Sequence, residues 1–337
     1  MGNDSSSQRT IAIWLLICCA MIFVMALLGA ITRLTESGLS ITSWEPVMGA
    51  MPPLNAASWD KAFAAYRQIP QYQLLHSSMT LNEFKGIYFW EWLHRLWGRL
   101  IGIVFAAPFL VFLLRGKIDK ALGLRLAGIL VLGALQGFIG WFMVESGLVV
   151  RTSVSPYRLA LHLGFALLIY SLLLWTAFDA LNMPRNKMMP SIRRHGWIAL
   201  ALLVLTMFWG TFTAGLHAGE TYNTWPLMDG ELLPSAAFTI LPKWKNLFEN
   251  LALVQFIHRW LAPITALVIL AWAWRLRDAP DKGWVHAFGA MALVQIALGL
   301  STMLTHAEII VATLHQVGAI TLLSLLLVNL WKIRPRA

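Results

Sequence analysis

The chain has 337 residues, 58% of them hydrophobic and 12% charged, with a mean hydropathy of +0.65. A soluble domain carries about 25% charged residues, so this composition excludes a water-soluble enzyme or binding module and reads as an all-α polytopic membrane protein. The formal charge of +10 is a matter of topology rather than of nucleic-acid binding. With the N-terminus placed inside, the inner segments hold 15 basic and 5 acidic residues and the outer segments 11 of each, as the positive-inside rule requires. Both termini are therefore expected in the cytoplasm of a bacterial cell (inner) membrane, with the lipid bilayer as the surrounding partner.

Eight apolar runs can cross a hydrocarbon core of about 30 Å. They lie near 11–31, 96–114, 122–144, 158–180, 197–216, 251–274, 284–304 and 310–331. The first is full length with no small-residue cleavage site after it, so it is expected to serve as its own insertion signal. Cys18 and Cys19 adjoin within it and no outer segment carries a cysteine, which predicts packing roles and no disulfide. Between spans 1 and 2 lie roughly sixty residues, long enough to need structure of their own. "AASWDKAFAAYRQ" from Ala56 predicts an amphipathic interfacial helix. "TLNE", Thr80 to Glu83, fits a capping box, so a helix is expected to start there and run on into span 2.

Span 2 opens on "YFWEWLHRLWGRLIG", Tyr88 to Gly102, which places Glu91, His94, Arg95 and Arg99 at the mouth of the helix. Ionisable groups near a bilayer are costly unless used or paired, so they are functional candidates. Glu91 and His94 share one helix face. Span 4 opens on His162 in "RLALHLG". The inner link Asn182 to Gly196 then leads to span 5, span 6 opens on "VQFIHRWLAPITA" with His258 and Arg259, and span 8 on His315 in "ATLHQVG".

The second half repeats the first. "GAITRLTESGLSITSWEPVMG" from Gly29 aligns without gaps on "GTFTAGLHAGETYNTWPLMDG" from Gly210, pairing Gly29/Gly210, Thr32/Thr213, Gly38/Gly219, Trp44/Trp225 and Gly49/Gly230. "QGFIGWFM" from Gln136 aligns on "QIALGLST" from Gln295, pairing Gln136/Gln295 and Gly140/Gly299. Four spans per half make the repeats parallel and predict two pseudo-symmetric four-helix bundles, residues 1–190 and 191–337.

Of nine histidines, His195 and His286 are expected solvated or headgroup-facing, His76 solvated, and His217 and His306 as suited to helix capping or the interface as to chemistry. His94, His162, His258 and His315 occupy equivalent mouths of even-numbered spans, on the outer side. Histidines from two facing helices can ligate one haem iron, and a helical bundle is a natural container for that cofactor. Zinc is disfavoured, because neither a cysteine nor a closely spaced His pair supports tetrahedral ligation. Arg95 and Arg259 are equally suited to haem propionates and to lipid phosphates. Three residues before its histidine, half one has Glu91 where half two has Gln255. Electron transfer alone needs no acid there, whereas chemistry on a substrate does, so half one reads as catalytic and half two as a cofactor site. The competing reading of Glu91 is an i to i+4 ion pair with Arg95.

These residues resemble the haem A synthase family, in its mitochondrial and alphaproteobacterial-like subclass. The resemblance spans nearly the whole chain through "ITRLTESGLSITSWEPVMGAMPPLN", "MTLNEFKGIYFWEWLHRLWGRLIG", "GALQGFIGW", "LHLGFAL", "FIHRWLAP" and "TLHQVGA". It implies two four-helix bundles with a haem pocket in each, and oxidation of a ring methyl of haem O to a formyl group by successive hydroxylations, giving the haem A of cytochrome oxidase. It further implies that His94 and His162 flank the substrate haem with Glu91 as the essential acid, and that His258 and His315 ligate a haem B cofactor. The outer-loop cysteine pair of another subclass is absent. Haem O synthase and cytochrome oxidase assembly factors are candidate partners, and a homo-oligomer the candidate assembly. A bis-His membrane cytochrome for electron transfer would share the four histidines but gives no reason for the Glu91/Gln255 difference. A transporter would predict alternating access and no product.

Overall fold

The structure is a computed structural model that describes residues 2–45, 48–186 and 188–334. Among the described residues there are eleven α-helices and no strand. Eight of the helices are long and apolar enough to span a bilayer, where a helix keeps every main-chain hydrogen bond internal.

Helix α1 (Gly2–Leu34) is followed by an outer segment with α2 (Ala56–Tyr66) and α3 (Pro70–Leu75). Asn55 starts α2 by accepting from Ser58 N at 2.9 Å, and Pro70 starts α3, since proline at the first helical turn forfeits no hydrogen bond. Together these elements build a small aromatic core in which Leu39, Tyr66, Ile69 and Phe84 are buried and Trp59, Phe63 and Tyr72 pack on them. Burial, with the charge of Glu36 adding to it, pushes the Tyr66 phenol above its ordinary pKa. His76 is not solvated as its position in a long loop suggested. It lies between Tyr66 Oη, 2.7 Å from Nδ1, and Glu36 Oε2, 3.0 Å from Nε2, because the segment folds back on its own aromatic core.

Helix α4 (Leu81–Leu114) begins with the expected capping box: Glu83 N donates to Thr80 Oγ1 and Thr80 N to Glu83 Oε2. Glu91 and His94 thus sit on continuous helix. Indole N–H groups fasten α1 to α4, from Trp14 to Val104 O and from Trp97 to Met21 O, each at 2.8 Å. Asp119 caps α5 (Lys120–Leu148), which returns to α6 (Pro156–Leu181). In the second half, α7 (Pro190–Gly215), the short α8 (Asn246–Glu249), α9 (Leu251–Arg275), α10 (Lys282–Leu304) and α11 (Ile309–Lys332) follow. There α7 packs on α9, α9 on α10, α10 on α11 and α11 on α7, closing a four-helix ring. Two compact units divide the chain, Trp14–Tyr170 and Met1–Ile13 with Ser171–Ala337.

Cys18 and Cys19 are free and buried. His286 is exposed, but His195 is held inside the second unit, with Nε2 at 3.0 Å from Val268 O and Arg275 Nη1 at 3.3 Å from Nδ1. Its helix turns it toward α9, and the solvated reading does not hold. His217 and His306 each lie two residues beyond the last residue of α7 and α10, after the C-caps Leu216 and Thr305, and both adopt a left-handed φ of 55°, the conformation that terminates helices.

The end of α11 is latched within its unit. Lys332 Nζ donates to Asp281 Oδ2 at 2.7 Å, Asn186 N to Lys332 O at 2.7 Å, and Trp331 and Arg334 to Asp179 Oδ1. The Lys332 hydrogen bond holds Asp281 below the usual carboxylate range. Stability from a depressed carboxylate is present above its unfolded pKa of about 4 and is lost as pH falls through the folded value. Asp281→Asn is therefore expected to lower the melting temperature of detergent-solubilised protein at pH 7, with the gap to wild type closing in acid. A gap independent of pH would overturn this.

Candidate functional site

In half one the catalytic candidate is a buried carboxylate with donors on both oxygens. Glu91 is 2% exposed. Its Oε2 accepts from Ser40 Oγ at 2.7 Å and from Ile41 N at 2.8 Å, and its Oε1 from Arg95 Nη2 at 2.7 Å. Helix spacing supplies the arginine, one turn along α4. The segment after α1 supplies the other two donors, as the chain turns back over the mouth of α4. Three donors satisfy the buried carboxylate's acceptors, so the ion pair with Arg95 and a role in chemistry are compatible.

The equivalent place in half two has the same frame and the opposite polarity. Gln255 Nε2 donates to Tyr222 O at 2.9 Å, and Tyr222 occupies the place of Ile41 in the repeat. Residue 41 thus turns its N–H toward position 91, whereas residue 222 turns its C=O toward position 255.

Arg95 donates to Ile41 O and Ser43 O, both at 2.9 Å. Arg259, 7% exposed, donates to the equivalent Tyr222 O and Thr224 O at 3.2 and 2.7 Å and to Leu227 O. Each guanidinium also lies over the tryptophan paired in the repeat, Arg95 at 5.8 Å from the Trp44 ring and Arg259 at 5.7 Å from that of Trp225. The arginines therefore clip the outer segments to the helix mouths. Arg259 Nε is buried with no hydrogen-bond partner.

Each of the four histidines packs against a glycine of a neighbouring helix. A Cβ on Gly29 would lie 3.4 Å from His94 Nε2. On Gly140, Gly210 and Gly299 it would lie 3.0, 2.8 and 2.9 Å from Cε1 of His162, His258 and His315. All four glycines belong to pairs visible in the internal repeat. A side chain at Gly210 or Gly299 would take the space of the ring, one at Gly140 would press on it, and one at Gly29 would only touch it.

The donor set of half two fits a haem iron. The ring centres of His258 and His315 are 6.4 Å apart with planes at 77°. Two iron–imidazole bonds of about 2 Å each, with ring centres roughly 1 Å behind the ligating nitrogens, place the centres roughly 6 Å apart. His258 Nδ1 lies 3.0 Å from Thr206 O; a carbonyl only accepts, so Nδ1 carries the proton and Nε2 keeps its lone pair for a metal. In half one, His94 and His162 lie within electrostatic reach of each other.

Reading the sequence missed Ser40 and Ile41 as partners of Glu91, and Gln136 and Gln295 as neighbours of His162 and His315. The two glutamines did carry a signal, since they are matched in the repeat, but identity alone does not say what a residue touches.

Comparison with known proteins gives a consistent picture. Residues 12–327 match the COX15-CtaA family, described as cytochrome oxidase assembly protein. The chain is 55% identical over 340 residues to "Heme A synthase" of Rhodospirillum centenum, covering 99% of this chain and 91% of the relative. It is 44% identical to "Heme A synthase" of Nitrosomonas eutropha, covering 94% and 92%, and 46% identical to that of Rhizobium etli, covering 98% and 91%.

Proposed function

The chain belongs to the COX15-CtaA family of cytochrome oxidase assembly proteins, and from that membership we propose a division of labour between its halves. Its activity is haem A synthesis: it is an oxidoreductase that converts the ring methyl of haem O to a formyl group by successive hydroxylations, giving haem A for cytochrome oxidase. In our assignment, His94 and His162 hold the substrate haem O in half one with Glu91 as the acid–base group, and His258 and His315 hold haem B in half two. The observation that carries the assignment is the contrast of position 91 with position 255. The carboxylate at 91 is met by three donors, and its counterpart is a neutral amide turned to a carbonyl.

A haem ligated by two histidines supplies one-electron transfer when bound. The chain's own groups do the rest. Glu91 Oε2 can take a proton or stabilise positive charge developing at the substrate carbon, while Ser40, Ile41 and Arg95 keep the carboxylate oriented between turnovers. Arg95 and Arg259, already at the helix mouths, have the planar fork that suits haem propionates, and the partnerless Nε of Arg259 supports that use. With both termini cytoplasmic, as the inner excess of basic residues supports, the haem sites lie toward the outer face of the inner membrane. Haem O synthase and cytochrome oxidase assembly factors are then its candidate contacts, and self-association its candidate assembly. A purely electron-transferring cytochrome is not favoured, because it needs no carboxylate at position 91.

The test is extraction and chromatography of haem from purified protein produced with haem O available. Haem A beside haem B is the expected result; haem B alone would sink the assignment of half one. The glycine seats give a second check. Gly210→Ala is expected to push the His258 ring off its seat, since its Cβ would lie 2.8 Å from Cε1, and to lower bound haem per protein while the protein remains monodisperse. Unchanged haem content would mean that the ring is placed by something else.

A further inference from the structure

The outer segment of half two, between α7 and α9, has a backbone tied down by two buried asparagines. Asn246 Nδ2 donates to Ile240 O at 2.7 Å and to Lys243 O at 2.8 Å while its Oδ1 accepts from Ile240 N at 3.0 Å, and Asn250 Nδ2 donates to Ala236 O at 2.8 Å. Ala237, Ala252 and Leu253 form a small core beneath, on which Tyr222 packs. The bulkiest side chains of the same stretch turn away from that core: Leu241 is 76% and Trp244 58% exposed, and Phe238 and Leu247 are exposed with them. Large apolar side chains grouped outward on one segment mark a contact surface.

The depth of the stretch identifies what it contacts. Trp209 Nε1 on α7 donates to Leu247 O at 3.2 Å, and the Phe248 ring packs on those of Trp209 and Phe212, with centres 6.0 and 5.4 Å apart. At 1.5 Å per residue, Trp209 lies about 9 Å short of Gly215, the last residue of α7. Leu247 and Phe248 therefore sit against the flank of a membrane-spanning helix, not above its end. Just below them α7 exposes Val204, Leu205 and Phe208, the face it turns to lipid. Lys243 and Lys245 flank Trp244 and are the only charged residues from Phe238 to Leu247. Tryptophan, leucine and lysine are favoured together where headgroups meet acyl chains, because lysine stems lie along apolar surface while their ammonium groups reach the phosphates.

We propose that residues 238–247 are an interfacial anchor, with Phe238, Leu241, Trp244 and Leu247 in the leaflet at the helix mouths and Lys243 and Lys245 at its phosphates. The partner is lipid rather than a second protein, because the stretch continues the lipid-facing flank of α7 and both its charges complement phosphate. The anchor does not depend on the haem assignment above, but it adjoins that site. Tyr222 packs on its core, and the Tyr222 carbonyl accepts from Gln255 and Arg259, so lipid contact and the mouth of half two belong to one connected piece.

Nitroxide labelling of the full-length protein tests this in vesicles of phosphatidylethanolamine and phosphatidylglycerol. Labels go on Leu241→Cys and, separately, Trp244→Cys, with Cys18→Ala and Cys19→Ala removing the native thiols. Leu267→Cys on the exposed face of α9 and Asp278→Cys on the exposed link after it serve as lipid and water references. The readout is accessibility to oxygen, which concentrates in the bilayer, relative to a neutral nickel chelate, which stays in water. The ratio at 241 and 244 is expected several-fold above that at 278 and toward that at 267. A ratio equal to that at 278 would place the stretch in water, and low accessibility to both reagents would mean that a second copy covers it; either result overturns the anchor. Lys243→Glu with Lys245→Glu is expected to lower the ratio at 241, and an unchanged ratio would remove the lysines from it.

Discussion

Glu91→Gln is expected to leave bound haem nearly intact and to cut haem A formation by roughly 10²–10⁴-fold, the range that a positioned acid–base group supplies. Haem should stay because Glu91 touches Ser40, Ile41 and Arg95 and no ligand histidine. The amide keeps the volume of the carboxylate but loses its charge and one of its two acceptors. Its oxygen can still take Arg95, but its NH2 then faces the Ile41 N–H, and one buried donor is left unpaired at about 1–3 kcal/mol. Half two shows what a glutamine at this place requires, a main-chain carbonyl turned toward it, as at Tyr222; half one presents an N–H instead. The variant should therefore accumulate haem O by chromatography of extracted haem and melt at a lower temperature than wild type. Retained conversion would remove Glu91 from the chemistry.

His315→Ala should abolish haem binding in half two, so that haem B disappears from the extract and haem per protein falls. The rings of His258 and His315 are paired at 6.4 Å, and a haem held by one of them loses half its ligation along with the seat against Gly299. The same substitution at the exposed His286 should change nothing, which separates a ligand effect from damage to the helical ring. Haem B retained in full by His315→Ala, measured as absorbance per protein after conversion to a common derivative, would contradict the ligand assignment. Added imidazole is expected to restore part of the signal, since the truncated side chain leaves a space of that shape.

Much of the architecture was legible without coordinates, for reasons visible in particular residues. The length of an apolar run is imposed by the bilayer and is a local property, so eight spans could be counted directly. The capping box at Thr80 and Glu83 is likewise local, and it correctly put Glu91 and His94 on one continuous helix. The four histidines emerged because a duplicated chain marks the same place twice, and the repeat also marked Gly29/Gly210, Trp44/Trp225, Gln136/Gln295 and Gly140/Gly299 before any role could be given to them.

What those pairs do was decided by tertiary structure. Glycine identity cannot reveal that an imidazole from another helix lies against it, nor can tryptophan identity reveal a guanidinium over the ring, because both depend on how neighbouring helices are set side by side. His76 and His195 were misjudged for the same reason: their sequence surroundings are polar, but the chain brings Tyr66 and Glu36 to one and Val268 and Arg275 to the other. The difference between the halves shows the division most clearly. The sequence by itself determined that a carboxylate stands at 91 and an amide at 255. Only the folded chain decided that the peptide at 41 turns its N–H, and the one at 222 its C=O, toward that position, because the direction of a peptide group is set by the path of the outer segment across the helix mouth.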